Sequence, residues 1–176
     1  MPAFPANPMS LAGRTIVITG AGQGIGRAIA LQSLALGANE TAVDRNAEAL
    51  AALAKETEAS RVLTVAGDVT DPELAPGVVS AAVERFGAVH GLVNNAGIVR
   101  AAMIDKMSLA TWNEVLNVHL TGAFHFLKAT GVHLIERAKA GDTAPGAIVN
   151  ISSDAGRRGT IGQINYGAAK SGMLGL

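Results

Sequence analysis

The stretch Thr15-Ile-Val-Ile-Thr-Gly-Ala-Gly-Gln-Gly-Ile-Gly26, continued by Arg-Ala-Ile-Ala-Leu-Gln-Ser-Leu-Ala-Leu-Gly37, decides the fold. Thr15–Thr19 is short, continuous and apolar, as a strand buried on both faces must be. Gly20 and Gly22 can take backbone angles closed to other residues and bring main chain close to a ligand. Gly24 and Gly26 allow tight packing of the helix that begins there. Free N–H groups and the helix dipole at that terminus favour a pyrophosphate. An acid, Asp44, ends the next apolar run. A glycine-rich turn alone could be an ordinary tight strand–helix connection. Strand, turn, helix and acid in this order match a dinucleotide fingerprint, which makes Gly20, Gln23, Gly24, Ile25, Gly26, Asp44 and Arg45 candidate cofactor-binding residues.

Outward from that unit the alternation repeats. Strands are predicted at Thr15–Thr19, Thr41–Val43, Val62–Val65, Val89–Val93 and Ala147–Ile151. Helical spacing joins Leu50, Leu53 and Thr57, and again Leu74, Val78, Ala82 and Phe86. A longer helix is expected from an N-cap at Ser108, with Trp112, Val115, His119, Ala123 and Phe126 on one stripe. Such alternation predicts an α/β fold, a doubly wound parallel sheet of Rossmann type with right-handed crossovers and helices on both faces. Residues 1–10 carry three of the six prolines and read as a loose arm, leaving 11–176 as one domain.

Composition narrows the function. Fourteen basic and fourteen acidic residues cancel, which gives no net field for nucleic acid or an anionic membrane. The longest uncharged run, Phe86 to Val99, has 14 residues, short of the roughly 18 of a membrane helix. Without cysteine there are no disulfides, thiol nucleophiles or thiolate metal sites. His119, His125 and His133 are spaced around a helix rather than along one face, so no metal site is expected. Asn39-Glu40-Thr41 fits a glycosylation acceptor, but it leads into a predicted buried strand and no secretory signal precedes it. A cytoplasmic location is expected. Glycine is 21 of 176 residues, against a usual ~7%, and the turn described above is one place that uses the excess.

Tyr166, the only tyrosine, lies four positions before Lys170, which puts both on one helix face. A phenol near pKa 10 is a poor acid–base group at neutral pH, and a nearby ammonium favours its phenolate. An amphipathic surface pair is the plainer alternative. Ser153 closes the run Ala147-Ile-Val-Asn-Ile-Ser-Ser, at the carboxyl end of a predicted parallel strand, where open α/β sheets place ligands. A loop serine capping its own backbone is the plainer reading there.

Taken together, Thr19-Gly20-Ala-Gly-Gln-Gly24-Ile-Gly26, Asn94-Asn95-Ala96-Gly97, Ser153 and Tyr166-x-x-x-Lys170 resemble the short-chain dehydrogenase/reductase family over residues 11–176. The segment from Ser152 to Lys170 resembles the 3-oxoacyl-thioester reductases within it. The resemblance implies a hydride exchanged between a nicotinamide cofactor and a ketone or secondary alcohol. It makes Tyr166 the proton donor, Lys170 its partner and a holder of the nicotinamide ribose, and Ser153, thirteen residues before Tyr166, the group that holds the substrate oxygen. The turn Asn94-Asn95-Ala96-Gly97 then stabilises the central sheet and lies over the cofactor, and Asp68 and Val69 bracket the adenine, although Asp68 also reads as a solvated loop acid. In the family helix motif an asparagine helps to connect Lys170 to solvent through water. Here the motif is Val118-His119-Leu120-Thr121-Gly122, and a histidine can donate and accept in the same way; a satisfied core histidine is the alternative.

Asp44 would accept from ribose hydroxyls and repel a 2′-phosphate. Gln23 stands where NADP-using relatives often carry a base, and Arg45 is the one dissenting feature. NAD(H) is therefore expected over NADP(H). The family fold continues beyond the position of Leu176 with further strands and a substrate lid. Two hypotheses follow: an oxidoreductase, or a catalytically incomplete dinucleotide-binding domain acting as an assembly partner. A homodimer or homotetramer is expected, because the helix from Leu109 and the last helix carry more apolar surface than one sheet face can cover.

Overall fold

A computed structural model describes residue 7 and residues 9–176; most of the expected arm over 1–10 lies outside the described residues. Five parallel strands form the sheet: β1 (Thr15–Thr19), β2 (Asn39–Asp44), β3 (Val62–Ala66), β4 (Gly91–Asn94) and β5 (Ala147–Asn150). Their order is β3-β2-β1-β4-β5. The chain therefore runs outward from β1 on one side, then crosses to β4 on the other. That reversal puts a switch point between β1 and β4, the place where doubly wound sheets open a crevice at their carboxyl ends.

Alternation along each strand sorts side chains to two faces. Ile18, Ala42 and Val93 pack with Ala30 of α1 (Gly24–Ala35) and with Leu50 and Leu53 of α2 (Ala47–Lys55). Val17, Val43 and Leu92 pack on the opposite face with Val78 and Ala82 of α3 (Leu74–Phe86), and with Phe126 of α5 (Gly122–Lys139). Full burial of a side chain such as Phe126 contributes about 1.5–3 kcal/mol. The expected cap of the long helix is present: Ser108 Oγ accepts from Thr111 N at 3.0 Å and starts α4 (Leu109–Leu116). Between α4 and α5 the chain makes a wider π-helical turn, Asn117–Thr121. Two shorter elements follow β5, namely α6 (Ala155–Arg158) and α7 (Ile164–Gly175).

Several boundaries differ from the sequence reading. β2 extends two residues earlier and one later than Thr41–Val43, because it pairs on both sides and its ladder carries polar Asn39 and Glu40 along. β4 begins at Gly91; Val89 is buried but precedes the ladder. The expectation that every strand is buried on both faces fails at both edge strands: at β3, where Thr64 and Ala66 are exposed, and at β5, where Ile148 and Val149 are 38% and 48% exposed. An edge strand has a neighbour on one side only, and apolar composition cannot reveal that. Glu40 is fully buried, with its carboxyl on Ser33 Oγ at 2.8 Å. Burial pushes its pKa well above the usual carboxylate range.

Candidate active site

All five strands end at the same edge of the sheet, and the glycine turn lies at its centre. Gly20 has φ +67° because it turns sharply out of β1, and a Cβ there would come within 2.9 Å of Ala96 Cα. The second left-handed glycine is Gly24, φ +55°, rather than Gly22. Gly22 is required for a different reason: its N–H donates to Asp44 Oδ2 at 2.9 Å, and a Cβ would crowd that carboxylate at 3.0 Å. Gly26 packs behind the turn, where a Cβ would lie 2.1 Å from Gly20 O.

A cavity of about 340 Å³ opens over this turn. Its walls hold Gly20, Gln23, Gly24 and Ile25 from the turn and Asp44 and Arg45 from the end of β2. Asp68 and Val69 after β3, and Asn95, Ala96 and Gly97 after β4, line it too. These are cofactor-binding residues expected from the sequence; Gly67, Ile98 and Val118, which are not among them, also line it. The N-terminus of α1 meets the cavity with no side-chain cap and no acid in its first turn. A Cβ on Gly24 would meet nothing within 4 Å. An uncapped helix start with open space above it fits a pyrophosphate. Both Asp44 oxygens are already oriented, Oδ2 by Gly22 N and Oδ1 by Asn46 N at 2.9 Å. Asp68 also makes the local turn anticipated as its plainer role, accepting from Thr70 N at 2.9 Å.

Sequence reading missed the residue that holds the far wall. Thr19 Oγ1 accepts from Asn95 N and Ala96 N at 3.0 Å each, while Asn95 Nδ2 donates to Thr19 O and Gly20 O. One hydroxyl thus ties the turn after β4 to the end of β1. Asn94 Nδ2 similarly donates to Asn150 Oδ1 across β4 and β5 at 2.9 Å. These bonds hold the Asn94-Asn95-Ala96-Gly97 turn, which the family resemblance implies stabilises the central sheet, against β1 and β5.

The second cluster lies beside the cavity. His119 is on the π-helical turn, and its ring stands edge-on to Tyr166 with centroids 5.4 Å apart. It is 2% exposed, and Nε2 sits 2.9 Å from Ile98 O and 3.1 Å from Ile98 N. Nδ1 meets no hydrogen-bond partner among the described residues. Burial lowers the ring's pKa from 6.5 to about 4, against the Ile98 backbone bond, so the imidazole is neutral at physiological pH. The other three histidines also bond main chain, at Thr15 N, Val69 O and Val89 N.

Lys170 Nζ lies 5.8 Å from the Tyr166 ring centroid and donates to Ile151 O at 2.6 Å. The lysine is 4% exposed, and burial pulls its pKa from 10.5 to about 8. Ser152 donates to Lys170 O at 2.6 Å, which docks the end of β5 against α7. Ser153 Oγ accepts from Ala155 N at 3.2 Å, the local capping bond expected of a loop serine, and this leaves its hydroxyl proton free to donate. Tyr166, Lys170 and His119 are thus brought together, with Ser153 on the adjoining turn.

The chain belongs to the short chain dehydrogenase family, whose profile matches residues 14–176. It is 38% identical over 170 residues to a 3-oxoacyl-[acyl-carrier-protein] reductase of Thermotoga maritima, covering 96% of this chain and 67% of that protein. It is also 38% identical over 168 residues to an acetoacetyl-CoA reductase of Synechocystis, with 96% and 64% covered. A short chain dehydrogenase from Mycobacterium avium superposes with a TM-score of 0.86 at 35% identity, covering 94% of this chain and 61% of that one. The chain therefore spans about two thirds of the length of these relatives.

Proposed function

We propose that this chain carries the cofactor site and the acid–base group of an oxidoreductase. It would interconvert a ketone and a secondary alcohol, with a 3-oxoacyl thioester as substrate class. The observation that carries the reading is the meeting of Tyr166, Lys170 and His119 beside a glycine-turn cavity at the carboxyl edge of the sheet. Two relatives named for reducing 3-oxoacyl or acetoacetyl thioesters support the substrate class.

Gly20, Gly24 and Ile25 would hold the pyrophosphate, Asp44 the adenosine ribose, Asp68 and Val69 the adenine, and Asn95, Ala96 and Gly97 the far wall. A nicotinamide bound there supplies or accepts the hydride. In the reductive direction Tyr166 gives its phenolic proton to the carbonyl oxygen, and Ser153 donates a hydrogen bond to that same oxygen. Lys170, mostly protonated at neutral pH, favours the phenolate that results and also holds the nicotinamide ribose. His119 fixes Ile98 and, by resemblance to the family, stands where an asparagine would link Lys170 to solvent through water; its Nδ1 is buried and unpartnered among the described residues. NAD(H) is favoured over NADP(H), since the Asp44 carboxylate, held by Gly22 N, would accept from ribose hydroxyls and repel a 2′-phosphate. Assembly as a homodimer or homotetramer is supported by exposed Phe124, Val132 and Ile135 on α5, and by Ile164 and Leu174 on α7.

The second reading, a dinucleotide-binding assembly partner without turnover, draws on exposed Ile148 and Val149 of β5. Nicotinamide absorbance over a panel of ketones and 3-oxoacyl thioesters separates the two readings. Tyr166→Phe removes one oxygen and keeps the ring, so turnover should fall by about 10²–10⁴ with cofactor affinity unchanged. Full turnover in that variant would refute the assignment.

A further inference from the structure

We propose that Asn165 is a positioning residue for Tyr166: its buried amide ties the first turn of α7 to the two segments that place His119, the ring facing the phenol. The proposal rests on the reading of Tyr166 as the proton donor, and it concerns a residue in no part of the cofactor cavity.

Asn165 is 0% exposed. A buried amide destabilises a fold unless its hydrogen bonds are made, and here they all are. Nδ2 donates to Arg100 O at 3.0 Å and to Thr111 O at 3.3 Å, while Oδ1 accepts from Tyr166 N at 2.8 Å. The last bond has a local cause. Gln23 and Gln163 alike start their helices without a side-chain cap, but α7 supplies a substitute for one of its free first-turn N–H groups from within. The other two bonds reach into different elements. Arg100 follows Ile98 by two residues, and Ile98 is the main-chain partner of His119. Thr111 lies in the first turn of α4, which runs on into the turn that carries His119. Arg100 is fixed to α4 a second time by its paired bonds to Glu114, at 3.1 and 2.8 Å. One side chain therefore sets the Tyr166 backbone against both segments that place the ring facing it.

The fold does not depend on these bonds alone. Ala102 N donates to Gly162 O at 2.9 Å, α6 packs on α7 at Gly156, and Ser152 holds Lys170 O. Asn165→Ala should therefore fold, retain cofactor affinity and misplace the phenol. An error of about 1 Å at a reacting group costs up to roughly 10²-fold, so kcat should fall about 10- to 100-fold while KM and cofactor Kd stay unchanged. Asn165→Ser, whose hydroxyl can still accept from Tyr166 N but cannot span to both carbonyls, serves if the alanine variant does not fold.

A readout independent of turnover is available because Tyr166 is the only tyrosine. Fluorotyrosine incorporated into the protein gives one fluorine resonance, which should move or split in the Asn165 variants and return no such change in a control at exposed Ile161. A lowered kcat at constant KM, together with a moved resonance, supports the proposal. If the unsubstituted protein binds cofactor but turns over no substrate, the proposed function fails, and the resonance alone decides the positioning role. An unmoved resonance overturns the proposal, as does a loss of KM, Kd and thermal stability in parallel.

Discussion

Gly97→Ala is the sharpest test of how the His119 ring is held. A Cβ at Gly97 would lie 2.2 Å from His119 Cε1, 2.9 Å from Nδ1 and 3.1 Å from Nε2. Carbon atoms at rest are about 3.5–4.0 Å apart, so the ring must withdraw by more than ~1 Å. It has no free direction in which to do so, being buried, bonded to Ile98 and edge-on to Tyr166. Overpacking of this kind costs about 1–3 kcal/mol, and loss of the Ile98 bond adds about 1. Reduced freedom of the unfolded chain returns about 0.4–1 kcal/mol. The net destabilisation centres on ~2.3 kcal/mol, or about 5–9 °C in Tm for a chain of this size. Urea unfolding and calorimetry measure it. Repeating the substitution in a His119→Ala background removes the obstruction, and the cost should then vanish and leave only the gain of about 0.4–1 kcal/mol from the unfolded chain. An equal cost in both backgrounds, or an unaltered Tm in the single variant, would refute the packing argument.

Asp44→Ala should narrow or reverse a preference for NADH over NADPH, and titration of both cofactors decides it; equal affinities in the unsubstituted protein would remove the basis for the preference. Acid should weaken the fold through His119, because folding disfavours its protonated form. That stability is present above pH 6.5 and is lost as pH falls toward about 4, at about 1.4 kcal/mol per unit and roughly 3 kcal/mol in all. His90 and His133, both lowered chiefly by burial, act in the same direction. Glu40 acts oppositely, since its raised pKa removes stability as pH rises above 4.5. Thermal melts across this range should show His119→Asn flattening the acid flank, and an unchanged slope would count against it. Sedimentation at micromolar concentration should show a dimer or tetramer; a monomer alone would sink the assembly proposal.

The sequence by itself determined the layered architecture, because its signals are local. Thr15–Thr19 was legible to the residue, since β1 is central and its composition reports burial on both faces. The cap at Ser108, the glycine turn and the i, i+4 pair Tyr166 and Lys170 were legible for the same reason: each is a short-range rule of backbone geometry. The cavity walls after β3 and β4 were legible only through the family resemblance, and the strand order β3-β2-β1-β4-β5 was decided by the structure.

Tertiary structure alone decided the rest. Which glycine is left-handed depended on how the turn meets Ala96 and Asp44, so Gly24 rather than Gly22 takes positive φ. The bonds made by Thr19, Asn150, Ser152 and Asn165 were not legible even where these residues fall inside quoted motifs, because each reaches a group distant in the chain, often a main-chain atom that every residue possesses. The exposure of β5 and the burial of His119 against Gly97 are likewise properties of neighbours. Local sequence fixes which conformations a segment can adopt; only packing fixes which polar atoms, some 20 to 75 positions apart, come within hydrogen-bonding reach.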